Sequence, residues 1–256
     1  MPSPLLSVNN LSVNFGGLKA LSHVSLTVDP GELIGIIGPN GAGKTTFFNS
    51  LTGLCKPTAG QIIFADRDLT NKSACFISRQ GVARTFQNIR LFKSLTVLDN
   101  LITACHQNIR YSFFDGIFKT RTYKREEQAA LETAQAMLEI VGLSEQTHEL
   151  AVSLPYGDQR KLEIARALVT KPKLLLLDEP AAGMNPAETQ ELLSLIQYLR
   201  AEFGITILLI EHDMNLVMNL CERIFVLDYG VLIAEGSTEE IRSNEQVIQA
   251  YLGADV

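Results

Sequence analysis

The sequence lacks the features that mark secreted, metal-clustering and membrane-spanning proteins. Its four cysteines are scattered and form no CxxC pair, which favours small buried thiols in a reducing compartment over disulfide or metal roles. Its longest apolar runs, at 174–177 and 205–210, are far shorter than the roughly 20 residues of a membrane helix. The first residues show no basic region before an apolar core, so we expect no signal peptide. We therefore expect a soluble chain that meets a membrane only through a partner.

Positive charge is also scarce in this chain. Lysine and arginine number 22 against 28 aspartates and glutamates, and the net charge of the 256 residues is −6. An acidic chain has no global attraction for nucleic acid, although a local basic patch remains compatible with this balance. Hydrophobic residues make up 46% and charged residues 20%, which is typical of a globular protein with a substantial core.

Apolar runs of buried-strand length alternate with helical patterns in this sequence. The runs lie at 33–37, 174–177 and 205–210, and short β-like runs at 5–8 and 11–15 precede them. Buried strands that alternate with helices predict an α/β sheet core.

A long helical pattern interrupts the predicted core. It extends from about residue 100 to residue 169 and includes a predicted helix at 125–141. We predict a single domain of residues 1–256. Its catalytic core comprises 1–90 and 170–256, and residues 91–169 form an inserted helical subdomain.

The strongest motif is a glycine-rich loop directly after the apolar run at 33–37. Its residues are Gly38, Pro39, Asn40, Gly41, Ala42, Gly43, Lys44, Thr45 and Thr46. In this GxxxxGK[ST] pattern the glycines let backbone N–H groups and a helix N-terminus surround phosphate. Lys44 is predicted to reach the β- and γ-phosphates, and the Thr45 hydroxyl to coordinate Mg²⁺. The motif therefore predicts a site for Mg-ATP.

Two carboxylates follow the buried run at 174–177. Asp178 is placed to hold Mg²⁺, and Glu179 to polarise an attacking water. A strand that ends in Asp-Glu is weak evidence alone, because acidic residues often end strands without a function. The glycine-rich loop upstream favours the catalytic interpretation.

Three further segments distinguish this chain from other proteins with such a loop. Thr85-Phe86-Gln87 lies between the loop and the helical middle, and Leu154 to Arg160 precedes an amphipathic helix. His212 follows the third buried run. In this order the motifs resemble the nucleotide-binding subunit of an ABC transporter, and the resemblance covers essentially the whole chain.

A narrower resemblance is to the ATPases of branched-chain amino acid uptake systems. The segments that carry it are 156–160, 179–186, 211–214 and 248–253. The resemblance implies a P-loop NTPase core of the ABC ATPase type, with an N-terminal antiparallel β region and an inserted helical subdomain.

The resemblance also implies roles for individual residues. Phe15 matches the aromatic residue that stacks on adenine, and Gln87 matches the glutamine that senses Mg²⁺ and faces the membrane subunit. His212 matches the histidine that contacts the γ-phosphate, which makes it catalytic together with Glu179.

The signature segment that closes over ATP departs from the usual Leu-Ser-Gly-Gly-Gln pattern. In the family, two subunits dimerise head to tail, and the signature of one closes over the ATP of the other. Pro155 replaces the serine and offers neither a hydroxyl nor an N–H group. The helix N-terminus behind it can still present N–H groups to phosphate. The residues expected to contact the partner's ATP are Tyr156, Gly157, Asp158 and Gln159.

The partners implied by the resemblance are transmembrane permease subunits, a second ABC ATPase and, indirectly, an extracytoplasmic solute-binding protein. The chain is then peripheral on the cytoplasmic side of the membrane, and no nucleic acid is expected. Two alternatives stay open: an exporter ATPase of the lipopolysaccharide type, and a soluble ABC-type ATPase that acts on ribosomes or DNA.

The segment 106–126 combines basic and aromatic residues but matches no motif. Three interpretations stay open for it. It is a solvated insertion that packs its aromatics locally, a docking surface for a membrane subunit near the headgroups, or a nucleic-acid patch.

Overall fold

The computed structural model describes residues 3–109 and 111–252 of the chain. Arg110 of the basic and aromatic segment and Gly253 of the C-terminal motif lie outside the described residues. The strands of the described residues are β1 Leu6–Phe15, β2 Leu18–Val28, β3 Leu33–Ile37, β4 Ala59–Phe64, β5 Arg67–Asp68, β6 Val82–Arg84, β7 Leu174–Asp178, β8 Thr206–Ile210, β9 Arg223–Asp228 and β10 Val231–Gly236. The helices are α1 Lys44–Leu51, α2 Ala74–Arg79, α3 Val97–Cys105, α4 Phe113–Phe118, α5 Arg121–Ile140, α6 Tyr156–Leu168, α7 Pro186–Phe203, α8 Met214–Leu220, α9 Thr238–Arg242 and α10 Glu245–Leu252.

A six-stranded sheet in the order β10-β9-β3-β8-β7-β6 forms the centre of the fold. Neighbouring strands from β9 to β6 are parallel, and β10 pairs antiparallel with β9. Every residue of β3, β7 and β8 is buried, because a parallel sheet is covered on both faces. The carboxyl ends of these strands meet at one edge, which is where ligands bind in such sheets.

The two faces of this sheet pack against different layers. Ile34, Leu176 and Leu208 belong to the core shared with the N-terminal sheet, whereas Leu33, Leu177 and Leu209 belong to the core shared with the helices. Successive side chains of a strand point to opposite faces, so a continuous apolar run serves both cores. The predicted α/β core is confirmed.

The N-terminal region forms a second, antiparallel sheet in the order β2-β1-β4-β5. The two β-like runs predicted at 5–8 and 11–15 lie together in one strand, β1, which begins at Leu6. Its pairing with β2 and β4 shifts near Asn10, which has a left-handed φ of 49°. The strand absorbs this irregularity and continues, whereas the Asn9-Asn10 pair interrupts the apolar pattern in the sequence.

The helical middle is built from α3, α5 and α6, which pack on one another. The predicted helix at 125–141 begins earlier, at Arg121, because Thr120 caps it through a hydrogen bond from the Tyr123 N–H. No helix of residues 3–109 and 111–252 is long and apolar enough to cross a membrane. The division of one domain into a core and a helical subdomain stays a prediction.

Candidate functional site

The glycine-rich loop connects the buried strand β3 to α1. Gly38 has a φ of 150°, and a Cβ atom there would lie 2.0 Å from the carbonyl oxygen of Leu227. Gly43 caps α1 with a φ of 101°, and a Cβ atom there would lie 2.7 Å from the Ala20 carbonyl oxygen. Both positions therefore require glycine. The N-terminus of α1 has neither a side-chain cap nor an acidic residue in its first turn. Its N–H groups and its dipole are available to an anion.

Lys44 lies inside this loop. Its Nζ donates hydrogen bonds to the carbonyl oxygens of Gly38 at 2.5 Å and Pro39 at 3.0 Å. Burial lowers the pKa of Lys44, and the charges of Glu179 and Asp178 oppose that shift. A buried ammonium group beside a cluster of N–H groups makes the loop a strong site for phosphate.

A cleft of about 380 Å³ opens above the loop. Its lining residues include loop residues from Asn40 to Thr46 together with Phe15, Leu18, Glu179, His212 and Tyr229. Phe15 is 53% exposed, so its ring can contact a flat ligand in the cleft. Tyr229, which is 87% exposed, is a second aromatic residue at this cleft. Its position beside Gly230 in a hairpin turn gives no sequence signal for binding.

A larger groove of about 940 Å³ lies elsewhere, between α2, α5 and the end of α6. It contains none of the predicted site residues. We assign the chemistry to the smaller cleft, because only that one combines Lys44, a helix N-terminus and the Glu179 carboxylate.

Glu179 is held between two other predicted residues. The Gln87 Nε2 donates to its Oε2 at 2.7 Å, and the His212 Nε2 lies 2.5 Å from its Oε1. Its own N–H donates to the Ile210 carbonyl oxygen at 2.9 Å, and its φ of 48° is left-handed. The strained backbone and the two side-chain contacts fix the carboxylate at the end of β7. The structure therefore brings Gln87, Glu179 and His212 together.

Asp178 lies behind the loop and pairs with a residue that sequence reasoning missed. Its Oδ2 lies 2.7 Å from the Nη2 of Arg84, and both side chains are 5% exposed. Arg84 also donates to the Oδ1 of Asn49 on α1 at 2.7 Å. A single arginine at the end of a three-residue strand has no motif around it. Its position beside β7 in the sheet, which is a tertiary fact, reveals the pair.

Glu211 is a second missed residue. It is buried, and its carboxylate accepts the N–H of Ala181 at 3.0 Å and the N–H of His212 at 3.2 Å. Burial raises the pKa of Glu211, the two hydrogen bonds oppose that shift, and the nearby charge of Glu179 adds to it. Glu211 thereby links the segment after Glu179 to the backbone of His212. Its place in Glu-His-Asp was the only signal in the sequence.

Comparisons with known proteins agree with this geometry. The family model described as "ABC transporter" matches residues 21–182, which is more than half of the chain. This chain belongs to the ABC transporter family. A second model, described as "Branched-chain amino acid ATP-binding cassette transporter", matches residues 231–256. The predicted resemblance is confirmed.

Two curated relatives of this ABC protein match over its full length. It is 52% identical to the high-affinity branched-chain amino acid transport ATP-binding protein LivG of Escherichia coli (strain K12), over 99% of each chain. It is 48% identical to the high-affinity branched-chain amino acid transport ATP-binding protein BraF of Pseudomonas aeruginosa, again over 99% of each chain.

Solved structures of ABC cassettes share the fold of this chain. An ATP-binding cassette of an ABC transporter in its ADP conformation has a TM-score of 0.85 and 35% identity, and the match covers 98% of this chain and 100% of the other. A dimeric cassette in a post-hydrolysis state, bound to ADP and Pi, has a TM-score of 0.76 and 25% identity, with 91% and 98% covered. The predicted ABC-type fold is confirmed.

The signature segment of this ABC protein lies at the N-terminus of α6, with Pro155 as the cap. The Tyr156 hydroxyl lies 3.0 Å from the Ala182 carbonyl oxygen, to which it donates. Asp158 pairs with Lys161 at 3.3 Å, and Gln159 donates to the Leu154 carbonyl oxygen at 2.8 Å. None of the residues 156–159 is among those that line the described cleft. Their predicted contact with ATP therefore depends on a second subunit and stays a prediction.

Arg160 is the third residue that sequence reasoning left without a role. Its guanidinium is fully buried and donates to the carbonyl oxygens of Phe86 at 2.7 Å and Gln87 at 2.8 Å. It also pairs with Glu163 at 2.7 Å, and Glu163 accepts the N–H of Arg90 at 3.0 Å. The signature helix is thereby tied to the loop that carries Gln87.

Proposed function

We propose that this chain binds and hydrolyses ATP to drive an ABC importer for branched-chain amino acids. The observation that supports hydrolysis most directly is the position of Glu179, which lies between Gln87 and His212 at the phosphate-binding loop. The solute rests on the full-length relatives named for branched-chain amino acid transport. Those relatives favour import over export of lipopolysaccharide and over action on ribosomes or DNA.

The nucleotide occupies the cleft with its phosphates on the loop. The ammonium group of Lys44 donates to two carbonyl oxygens. When ATP binds, phosphate oxygens take their place and accept stronger, charge-assisted hydrogen bonds. The adenine lies against the exposed ring of Phe15, with Tyr229 at the same mouth of the cleft.

The donors near the loop suit Mg²⁺, which prefers a few protein oxygens and completes its shell with water and phosphate. We assign the Thr45 hydroxyl, the Gln87 amide oxygen and the Asp178 carboxylate to the ion or its waters. Arg84 contacts only the Oδ2 of Asp178, which leaves the Oδ1 for this role. When bound, the ion offsets negative charge on the transferred phosphoryl group.

Hydrolysis adds one water to ATP and releases ADP and phosphate. The water oxygen attacks the γ-phosphorus, the bond from that phosphorus to the β–γ bridging oxygen breaks, and Glu179 accepts a proton from the water. Gln87 and His212 keep the carboxylate in position. Lys44 and the N–H groups of the loop stabilise the charge on the phosphate oxygens.

The complete site requires a second subunit. In the head-to-tail dimer, Tyr156, Gly157, Asp158 and Gln159 of one chain close over the ATP of the other. The dimer pulls on transmembrane permease subunits, which receive the solute from an extracytoplasmic solute-binding protein. The chain is then peripheral at the cytoplasmic side of the membrane.

Uptake of labelled leucine tests this proposal in cells that lack the chain. Wild-type protein restores uptake, and Lys44→Ala does not, because it removes the cation at the phosphates. Uptake of an unrelated labelled sugar serves as the control. If leucine enters equally well without the chain while the purified protein hydrolyses ATP, the solute assignment is wrong and the ATPase assignment stands.

A further inference from the structure

Ring contacts and hydrogen bonds hold the segment from Tyr111 to Tyr123 in a defined conformation. The Tyr111 and Tyr123 rings pack edge to face with their centroids 5.1 Å apart. The Tyr111 hydroxyl donates to Glu127 at 2.7 Å, and this hydrogen bond raises the pKa of Tyr111 to about 12. Ser112 and Asp115 form a reciprocal capping box at the start of α4. The hydrogen bonds from Ser112 also lower the pKa of Asp115.

The large apolar side chains of α4 are exposed to solvent. The Phe113, Phe114 and Phe118 side chains are 79%, 68% and 74% exposed, and Ile117 is 56% exposed. No residue of α4 is buried. The interpretation of this segment as an insertion that packs its aromatics locally therefore holds in part: Tyr111 packs on Tyr123, and the Phe113 and Phe114 rings meet edge to face at 6.1 Å while both stay exposed. Exposed apolar groups in a continuous patch indicate a surface that another phase or molecule covers.

Basic residues follow the apolar side chains directly in the sequence. The exposed basic residues of this stretch are Lys119, Arg121, Lys124 and Arg125. None of the four forms an ion pair with another described residue. Residues 111–125 contain one carboxylate, Asp115, and its oxygens accept hydrogen bonds from Ser112 and Thr120. Glu126 and Glu127 lie beyond it and accept hydrogen bonds from Tyr111. The local charge of this stretch is positive in a chain whose net charge is −6.

We propose that this α4 surface binds an anionic phospholipid bilayer directly. The surface consists of Phe113, Phe114, Ile117, Phe118, Lys119, Arg121, Lys124 and Arg125. The apolar side chains enter the region between the headgroups, and the cations contact the lipid phosphates. A helix that projects its aromatics outwards, rather than lining a groove, suits a planar lipid surface. The uncompensated cations of this stretch are complementary in charge to anionic headgroups, which argues for lipid as the occupant.

Sedimentation of the purified full-length chain with vesicles tests this surface. We expect binding to vesicles of phosphatidylglycerol and phosphatidylethanolamine in equal parts, and little binding to phosphatidylcholine alone. Lys119→Glu combined with Lys124→Glu reduces the binding about tenfold or more. The matched control, Lys56→Glu with Arg242→Glu, reverses two exposed charges elsewhere and leaves binding near the wild-type value.

The apolar contribution has its own variant. Phe113→Ser, Phe114→Ser and Phe118→Ser together abolish vesicle binding and leave ATPase activity unchanged, because α4 packs on α5 and none of its residues lines the cleft. Phe203→Ser, which changes an exposed phenylalanine on α7, is the control.

A fluorescence measurement keeps the test valid if the triple variant does not fold. The chain contains no tryptophan, so Phe118→Trp and Phe203→Trp each carry a single reporter. Anionic vesicles shift the emission of Phe118→Trp to shorter wavelength and leave Phe203→Trp unchanged. Absence of the shift, or wild-type vesicle binding by the α4 variants, overturns the proposal. If the α4 variants instead lose only co-purification with the permease, the surface docks a protein and the lipid assignment is wrong.

Discussion

The carboxylates of the proposed active site lie near charged residues that are themselves buried. Arg84 contacts Asp178, and Glu211 lies beneath the backbone of Ala181 and His212. Each buried charge is tolerated because hydrogen bonds or an opposite charge satisfy it. Changes at these supporting residues should therefore be visible in stability as well as in activity.

Arg84→Met should destabilise the protein by about 3–5 kcal/mol, because it leaves the Asp178 carboxylate buried without its partner. Chemical denaturation measures the loss. The double variant Arg84→Met with Asp178→Asn should recover part of it, since the amide carries no charge. Arg242→Met, an exposed control, should stay near the wild-type stability. Equal losses in the single and the double variant would argue against the ion pair.

Glu211 gives the stability a dependence on pH. Its folded-state pKa lies above the ordinary value of 4.5, so the folded chain binds this proton more tightly than the unfolded chain. The free energy of unfolding therefore falls as pH rises from that ordinary value through the raised folded-state pKa. Across this range the unfolded chain releases the proton more readily than the folded chain. The amide of Glu211→Gln cannot ionise, so this variant lacks the loss.

Urea denaturation at a series of pH values measures the effect as the difference between wild type and Glu211→Gln. The difference should grow in favour of the variant across that window. Carboxyls with lowered pKa values, such as Asp68, act at lower pH and are the same in both proteins. Parallel curves for the two proteins would show that burial of Glu211 has no such cost.

At the residue scale, the sequence predicted the groups that belong to motifs and missed those that support them. Glu179 and His212 follow two predicted buried strands whose carboxyl ends share one edge of a sheet, so their meeting could be anticipated, whereas Gln87 was predicted from its motif alone. Arg84 and Arg160 are single charged residues without a spacing pattern. Only their burial against Asp178 and against the Gln87 backbone gives them a role, and burial depends on tertiary packing.

At the scale of elements, buried hydrogen bonds connect α6 to the loop at 85–90. Arg160 donates to the backbone of Phe86 and Gln87, and it pairs with Glu163. The signature segment begins the same helix. A movement of the signature towards a partner's nucleotide would therefore be transmitted to Gln87 and, through it, to Glu179.

Arg160→Met should loosen this unit, because two carbonyl oxygens lose their donor and Glu163 loses its cation. We expect faster amide hydrogen exchange in residues 85–90 and ATP hydrolysis reduced about tenfold or more through loss of the Gln87 position. Arg242→Met, an exposed arginine away from the loop and the signature segment, serves as the control. Unchanged exchange in the loop would contradict the proposed tie.

The elements themselves were predictable where one local pattern dominated. The residues Asn185, Pro186 and Glu188 predict a helix start from the sequence alone, and they form a capping box with proline at the first position of α7. The buried strands β3, β7 and β8 follow from uninterrupted apolar runs. The short strand β6 and helix α2 escaped prediction, because three to six residues carry too little periodicity, and pairing with β7 decides β6.

At the scale of the whole molecule, one chain supplies half of each proposed ATP site. The cleft contains the loop, Glu179 and His212, whereas residues 156–159 lie outside it. A related cassette forms a dimer with ADP and Pi bound. In such a dimer we expect the N–H groups at the start of α6 to face phosphate, which needs no hydroxyl or N–H group from Pro155.

ATP turnover by Glu179→Gln is the most direct measurement of this account. The variant keeps the shape of the side chain but cannot accept a proton, so hydrolysis should fall by about 10²- to 10⁴-fold. ATP binding should persist, and dimers should accumulate with ATP on size-exclusion chromatography. Glu139→Gln, an exposed change on α5, should hydrolyse ATP at the wild-type rate. Near-wild-type turnover by Glu179→Gln would contradict the assignment of Glu179 as the catalytic base.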